Sequence, residues 1–152
     1  MVLTRADLGR LAALAIAICA TGCGDIESLG SPESCFKATF GVKPPPTVFN
    51  LSGQGKSFRD GAHAYLKFNA SFETVTGLIG SNFQPMTQTE FARDTGGAAL
   101  VGPTPPWWTP LQGSRSIFLK STSFHRSFHQ GKAYVSIDVP TQTAHVYWMG
   151  FD

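Results

Sequence analysis

Two stretches near the end of the chain alternate between apolar and polar residues, and they constrain the fold more than any other feature. Residues 132–139 and 144–151 place apolar side chains at every second position, the period of a β-strand with one buried face. Between them, Asp138 to Thr143 has the composition of a polar turn, in which the aspartate can accept hydrogen bonds from turn amides. The pattern therefore predicts an antiparallel hairpin, and the rest of the chain must fit the sheet that it starts.

A second hairpin is predicted immediately before the first. Gln130-Gly131 has the composition of a two-residue turn, and residues 116–129 before it have the pattern of a strand. Together the two hairpins give three antiparallel strands with one apolar face. This predicted core face consists of Phe124, Phe128, Ala133, Val135, Ile137, Ala144, Val146 and Trp148.

The opposite, polar face contains the candidate catalytic residues. In this register His125, Ser136 and His145 form one row across three strands, with neighbouring strands ~4.8 Å apart. Such a row could hold a transition metal with a third ligand, or one imidazole could activate the Ser136 hydroxyl as a nucleophile. A one-pair slip of the last hairpin would instead place Asp138 opposite His145. The favoured interpretation is that these residues belong to an ordinary solvated or partly covered face, because antiparallel sheets commonly have one face of this composition.

The remaining elements are predicted from periodicity and capping residues. Residues 35–42 alternate as a first strand and residues 63–69 as a second, with a glycine-punctuated loop over 50–61 between them. Ser71 is a suitable N-cap for one short helix, and the capping box Thr87–Glu90 starts another. The order predicts an α+β fold, a small antiparallel sheet of four or five strands with one or two short helices packed on one face.

Residues 95–113 are rich in glycine and proline, which predicts a long irregular loop. Trp107 and Trp108 lie inside it. An exposed tryptophan pair can stack on a sugar ring or on a partner's apolar side chain, which makes these two the candidate binding residues. The favoured alternative is that they fold back and close the core, because burial of a tryptophan stabilises a small domain.

The N-terminal segment has the organisation of a targeting signal. Arg5 and Arg10 precede an uncharged run, Leu11–Cys23, which is too short for a stable membrane-spanning helix of ~20 residues. Basic residues, a short apolar centre and small residues at its end are typical of a secretory signal peptide. The final residues, Ala20-Thr21-Gly22-Cys23, resemble the lipobox of bacterial lipoproteins. The resemblance is confined to this segment.

The resemblance implies that residues 1–22 are a lipoprotein signal peptide and that Cys23 becomes a lipidated N-terminus that anchors the chain to a membrane. Lipoproteins kept at the inner membrane often have aspartate after this cysteine. Gly24 occupies that position here, which favours the periplasmic face of the outer membrane. Residues 23–34 are then a polar tether, and residues 35–152 form a single globular domain.

Net charge and cysteine content limit which partners and which disulfide bonds are expected. The formal net charge is +2, so nucleic acid is not expected as a partner, and no cofactor is implied. With Cys19 removed and Cys23 lipidated, Cys35 has no partner within the mature chain and is expected to be buried; the alternative is a disulfide bond to another chain. These features predict a lipid-anchored binding or structural module of the cell envelope, with an envelope protein or a glycan as partner. The alternative is a small hydrolase or metal-dependent enzyme that uses the histidine–serine row.

Overall fold

The computed structural model describes residues 26–96, 103–126 and 128–152, which form one antiparallel sheet of seven strands with three helices. The elements in chain order are β1 (Glu27–Ser28), α1 (Pro32–Phe40), β2 (Phe49–Phe58), β3 (Gly61–Asn69), α2 (Phe72–Ile79), β4 (Gln84–Pro85), α3 (Gln88–Gly96), β5 (Ser116–Ser121), β6 (Gln130–Asp138) and β7 (Thr143–Phe151). The strands lie in the order β1-β2-β3-β7-β6-β5-β4. An antiparallel sheet with few helices is confirmed. The predicted count of four or five strands is too low, partly because two edge strands have only two residues each.

The C-terminal hairpin has the predicted register. Asp138 pairs with Thr143 and Ser136 pairs with His145, so the alternative slip does not occur. The Asp138 carboxylate closes the turn, because it accepts hydrogen bonds from the Thr141 hydroxyl at 2.6 Å and from the Arg115 backbone N–H at 3.2 Å. These bonds lower the pKa of Asp138. A local polar turn therefore fixes which residues share each face of the sheet.

The second predicted hairpin is wrong in its turn and its register, although β5 and β6 are antiparallel neighbours as predicted. Strand β5 ends at Ser121, and Gln130-Gly131 lies within β6 instead of forming a turn. Ser136 therefore pairs with Phe118 and not with His125. The connecting segment crosses the start of β6, where the Phe124 N–H donates to the carbonyl of the glycine at 3.1 Å. The Phe124 carbonyl lies where any larger side chain at that glycine would have to go. Glycine is required here for close backbone approach.

The main core lies on the apolar face of the sheet, under α1 and α2. All of the predicted core-face residues belong to this cluster or pack against it. Helix α2 begins after Ser71 as predicted, with the Ser71 hydroxyl accepting from the Thr74 N–H at 3.1 Å. Val75 and Ile79 are its buried residues. The predicted alternation thus identified one face correctly even where one of its strands was wrong.

Residues 35–42, predicted as a strand, lie mostly in α1. Ser31 caps this helix by accepting from the Ser34 N–H at 3.2 Å, Pro32 occupies its first turn, and Gly41 ends it with a φ of 76°. Proline at the start and a left-handed glycine at the end are typical helix boundaries. The buried residues of the helix are Cys35, Phe36, Thr39 and Phe40.

Residues 50–61, predicted as a loop, mostly form β2. The glycines of this strand make room for α1. A Cβ atom on Gly53 would lie 2.9 Å from the Pro32 Cα and 3.1 Å from the Cys35 Cβ. Cys35 is buried as expected, and burial raises the pKa of its thiol to about 11. The thiol therefore behaves as a small apolar side chain within the helix–sheet contact.

The predicted tether, residues 23–34, contains folded structure. Glu27 and Ser28 form β1 on the edge of β2, opposite Ser57 and Lys56, and α1 begins at Pro32. Residues 23–25 lie outside the described residues. The folded domain therefore starts by Glu27 rather than at residue 35. None of the described helices is long and apolar enough to cross a membrane.

The second face of the sheet is covered by α3 and by the loop segment 103–113. The predicted capping box is present, with the Thr87 N–H donating to Glu90 Oε2 at 2.8 Å and the Glu90 N–H donating to Thr87 Oγ1 at 3.2 Å. Phe91 of α3 packs against Phe118 of β5, with ring centroids 5.1 Å apart. The helices therefore lie on both faces, and the prediction of helices on one face is wrong.

Candidate functional site

The polar face carries one continuous row of side chains across four strands. Lys67 of β3, His145 of β7, Ser136 of β6 and Phe118 of β5 occupy paired positions. His145 is only 5% exposed and Ser136 only 1%. This part of the face is therefore covered rather than solvated, and it resembles a second, smaller core with polar members.

The covering is provided by Trp108 from the loop. Its indole meets the ring of Tyr65 edge to face, with centroids 5.0 Å apart, and the ring of His145 at 5.5 Å. Trp107 packs against the same cluster, which is centred on Tyr65 and Tyr147. Both tryptophans are half-buried. They fold back onto the sheet, and their role in binding stays a prediction.

Ser136 holds the loop in place. Its hydroxyl donates to the Pro110 carbonyl at 2.9 Å. Ser136 and His145 face each other, but no hydrogen bond joins their side chains in the described part of the chain. A nucleophilic serine needs a base that accepts its proton, and here that proton is directed to a backbone carbonyl. The arrangement stabilises the loop instead of activating the hydroxyl.

His145 is held in its neutral form. Its pKa is lowered to about 4, chiefly by burial and in smaller part by the nearby charge of Lys67, while Asp138 opposes the shift. Its Nε2 is buried and has no hydrogen-bond partner among the described residues. At neutral pH this imidazole is therefore uncharged and packs mainly as a ring beneath Trp108.

His125 does not join the predicted row. It lies in the connection between β5 and β6 and lines a cavity together with Ile79 and Phe124, which belong to the main core on the other face. His125 and His145 therefore lie on opposite sides of the sheet. Across residues 26–96, 103–126 and 128–152, no group of three or more His, Cys, Asp or Glu side chains could hold a metal ion. The hydrolase or metal-dependent alternative required His125, Ser136 and His145 to lie together, and the structure does not bring His125 to the other two.

Two polar residues of this face were not singled out from the sequence. His63 is buried with neither ring nitrogen bonded within the described residues, and burial lowers its pKa, with Lys56 adding to the effect. Tyr65 packs on Tyr147 with centroids 4.7 Å apart. The alternation of His63, Tyr65 and Lys67 along β3 was the available signal, because it places all three on one face.

Two clefts border this covered face. One, of about 290 Å³, lies between α3 and the loop and has Trp108, Leu111 and Ala92 among its lining residues. The other, of about 200 Å³, lies at the end of the sheet beside Lys67 and His145. The first adjoins the candidate binding residue Trp108, and none of the described residues that line it is charged.

Comparison with known proteins gives no relative: no protein-family model, curated protein or solved structure matches this chain. Cys23, the candidate lipidation site, lies outside the described residues.

Proposed function

We propose that this protein is a lipid-anchored binding module of the bacterial cell envelope. Its anchor is the lipid on Cys23, at the periplasmic face of the outer membrane, and its binding site is the cleft beside Trp108. The observation that carries the binding role is this cleft, because an apolar concavity with one aromatic wall is a common form of ligand site.

The chemistry of the cleft favours an apolar side chain of an envelope protein as occupant. Leu111 remains 40% exposed at the cleft, so apolar surface is available to a partner. Trp108 is held by its contacts with Tyr65 and His145, which reduces the ordering cost of binding against it. The volume, about 290 Å³, is at the lower end for ligand pockets and suits one or two side chains.

Site-specific photo-crosslinking in intact cells tests the binding role. A photoreactive residue at Leu111 should give a discrete protein adduct, whereas one at Val139, which is 43% exposed and does not line the cleft, should not. Ala92→Leu, which narrows the cleft from α3, should reduce the adduct at Leu111. Equal adducts at both positions, or an adduct unaffected by Ala92→Leu, would contradict the proposal. A glycosidase-sensitive adduct would identify a glycan as the occupant instead.

The anchor is tested separately. Cells grown with a labelled fatty acid should incorporate the label into the wild-type protein and into Cys19→Ser, but not into Cys23→Ser. The Cys23→Ser protein should also leave the membrane fraction, because acyl chains supply the membrane affinity. Separation of inner and outer membranes then tests the outer-membrane location. Label that persists in Cys23→Ser would refute this anchor.

A further inference from the structure

A third cavity lies at the end of α2, away from the cleft beside Trp108. It has a volume of about 350 Å³ and opens between the end of α2 and the segment that connects β5 to β6. Buried Ile79 and Phe124 contribute apolar lining. The polar side chains of its lining are Ser81, Asn82, Ser123, His125 and Arg126. Among the described residues, no acidic side chain lines this cavity, and several of its side chains can donate hydrogen bonds.

Arg126 is the charged group of this cavity. Its guanidinium lies over the Phe124 ring, with Cζ 5.3 Å from the ring centroid. Its Nη2 is 3.5 Å from the Leu78 carbonyl, a long contact, and it forms no ion pair within the described residues. A guanidinium has five N–H donors in a planar fork. Most of these N–H donors are therefore available to a ligand. The contacts with Phe124 and Leu78 already orient the guanidinium.

The C-terminal end of α2 disfavours a bound anion, because the C-terminus of a helix carries about half a negative charge. Gly80 partly satisfies this end by donating its N–H to the Thr76 carbonyl at 2.9 Å. The full positive charge of Arg126 lies against the same end, through its contact with Leu78. The charge that remains in the cavity is positive, and the side chains of Ser123 and His125 line the cavity and can donate hydrogen bonds to a ligand.

We propose that this cavity binds a small oxyanion, either a carboxylate or a phosphate group. Arg126 binds two oxygens of the anion through its fork, and His125 and Ser123 donate further hydrogen bonds. The site is distinct from the cleft beside Trp108, and it does not depend on the lipid anchor. It also gives His125 a role that requires neither Ser136 nor His145.

Calorimetric titration of the full-length protein in a mild detergent tests the site. Succinate and inorganic phosphate are titrated separately at equal ionic strength, because salt screens exposed charges. At least one probe should bind saturably. Arg126→Gln should weaken that binding by at least about tenfold, which corresponds to about 1.4 kcal/mol. The control Arg59→Gln removes an equally charged, exposed side chain that lies in the turn between β2 and β3 and does not line the cavity, and it should leave the affinity unchanged.

Further variants separate binding from folding. Arg126→Lys keeps the charge but loses the fork, so its affinity should lie between those of the wild type and Arg126→Gln. His125→Ala removes an exposed side chain and should weaken binding without lowering the thermal unfolding midpoint. Binding of succinate alone assigns a carboxylate ligand, and binding of phosphate alone assigns a phosphate ligand. Absence of saturable binding by both probes, or equal affinities in Arg126→Gln and Arg59→Gln, would overturn the proposal.

Discussion

Acid should destabilise this domain through His145. Burial, with the charge of Lys67, lowers the pKa of this imidazole from 6.5 to about 4 in the folded protein. The unfolded chain regains the ordinary value, so between about pH 6.5 and pH 4 it binds a proton that the folded protein excludes. Stability is therefore full above this window, falls as the pH decreases through it, and levels off below it.

The size of the effect follows from the shift. One pKa unit corresponds to about 1.4 kcal/mol, so a shift from 6.5 to about 4 gives at most about 3–4 kcal/mol of lost stability. At about pH 4.5 the expected loss from His145 is about 2 kcal/mol. This is a large fraction of the stability of a small domain, which is typically about 5–15 kcal/mol.

The assay is urea unfolding at about pH 7 and about pH 4.5, followed by tryptophan fluorescence. His145→Phe keeps an aromatic ring under Trp108 but does not titrate, so it should lose about 2 kcal/mol less than the wild type on acidification. Tyr147→Phe is the matched control, since it alters the same face of β7 without removing the imidazole. His63, whose pKa is also lowered by burial, is present in all three proteins and cancels in the comparison.

An equal loss of stability in the wild type and in His145→Phe would refute this reasoning. It would mean that His145 is charged in the folded protein or that Trp108 does not cover it.

Three further predictions concern packing, and each is measured by urea unfolding. Trp108→Ala should lower the free energy of unfolding by about 2–3 kcal/mol, because it uncovers the aromatic cluster. If the indole lay outside that cluster, the substitution would change the stability little. Ser136→Ala should cost about 1–2 kcal/mol, since it leaves the Pro110 carbonyl without its donor, and hydrogen exchange at the Trp108 amide should become faster. Gly53→Ala should cost about 1–3 kcal/mol, because its Cβ would meet the backbone of Pro32; a neutral result would mean that α1 can shift.

The parts of the fold that the sequence predicted correctly are those determined locally. The turn from Asp138 to Thr143 and the alternation of β6 and β7 were sufficient for the register, since both lie within one short stretch. The helices after Ser71 and Thr87 were likewise indicated by their own caps. In each case the residues that specify the element also belong to it.

The errors come from contacts between distant parts of the chain. Gly53 and Gly131 suggested loops, but each admits another piece of backbone, Pro32 in one case and Phe124 in the other. Nothing near these glycines in the sequence identifies the neighbour that needs the space. Helix α1 is a different case, because Phe36 and Phe40 fit both a strand period and a helix period.

The candidate site was affected in the same way. The pairing of Ser136 with His145 was predicted from the local turn, whereas His125 was placed with them only through the incorrect hairpin. The cover over the site comes from Trp108, which reaches it through a loop whose path cannot be inferred from composition. Sequence thus predicted the face but not what lies on it.

The short strand β1 lies only four residues after Cys23, the proposed lipidation site. Consecutive Cα atoms are 3.8 Å apart, so the four steps from Cys23 to Glu27 span at most about 15 Å. With Cys23 lipidated as proposed, the edge of the sheet at β1 and β2 is confined to the layer of lipid head groups and the solvent next to it. The domain then stays close to the membrane surface with a restricted orientation, and a partner must approach the membrane to bind it.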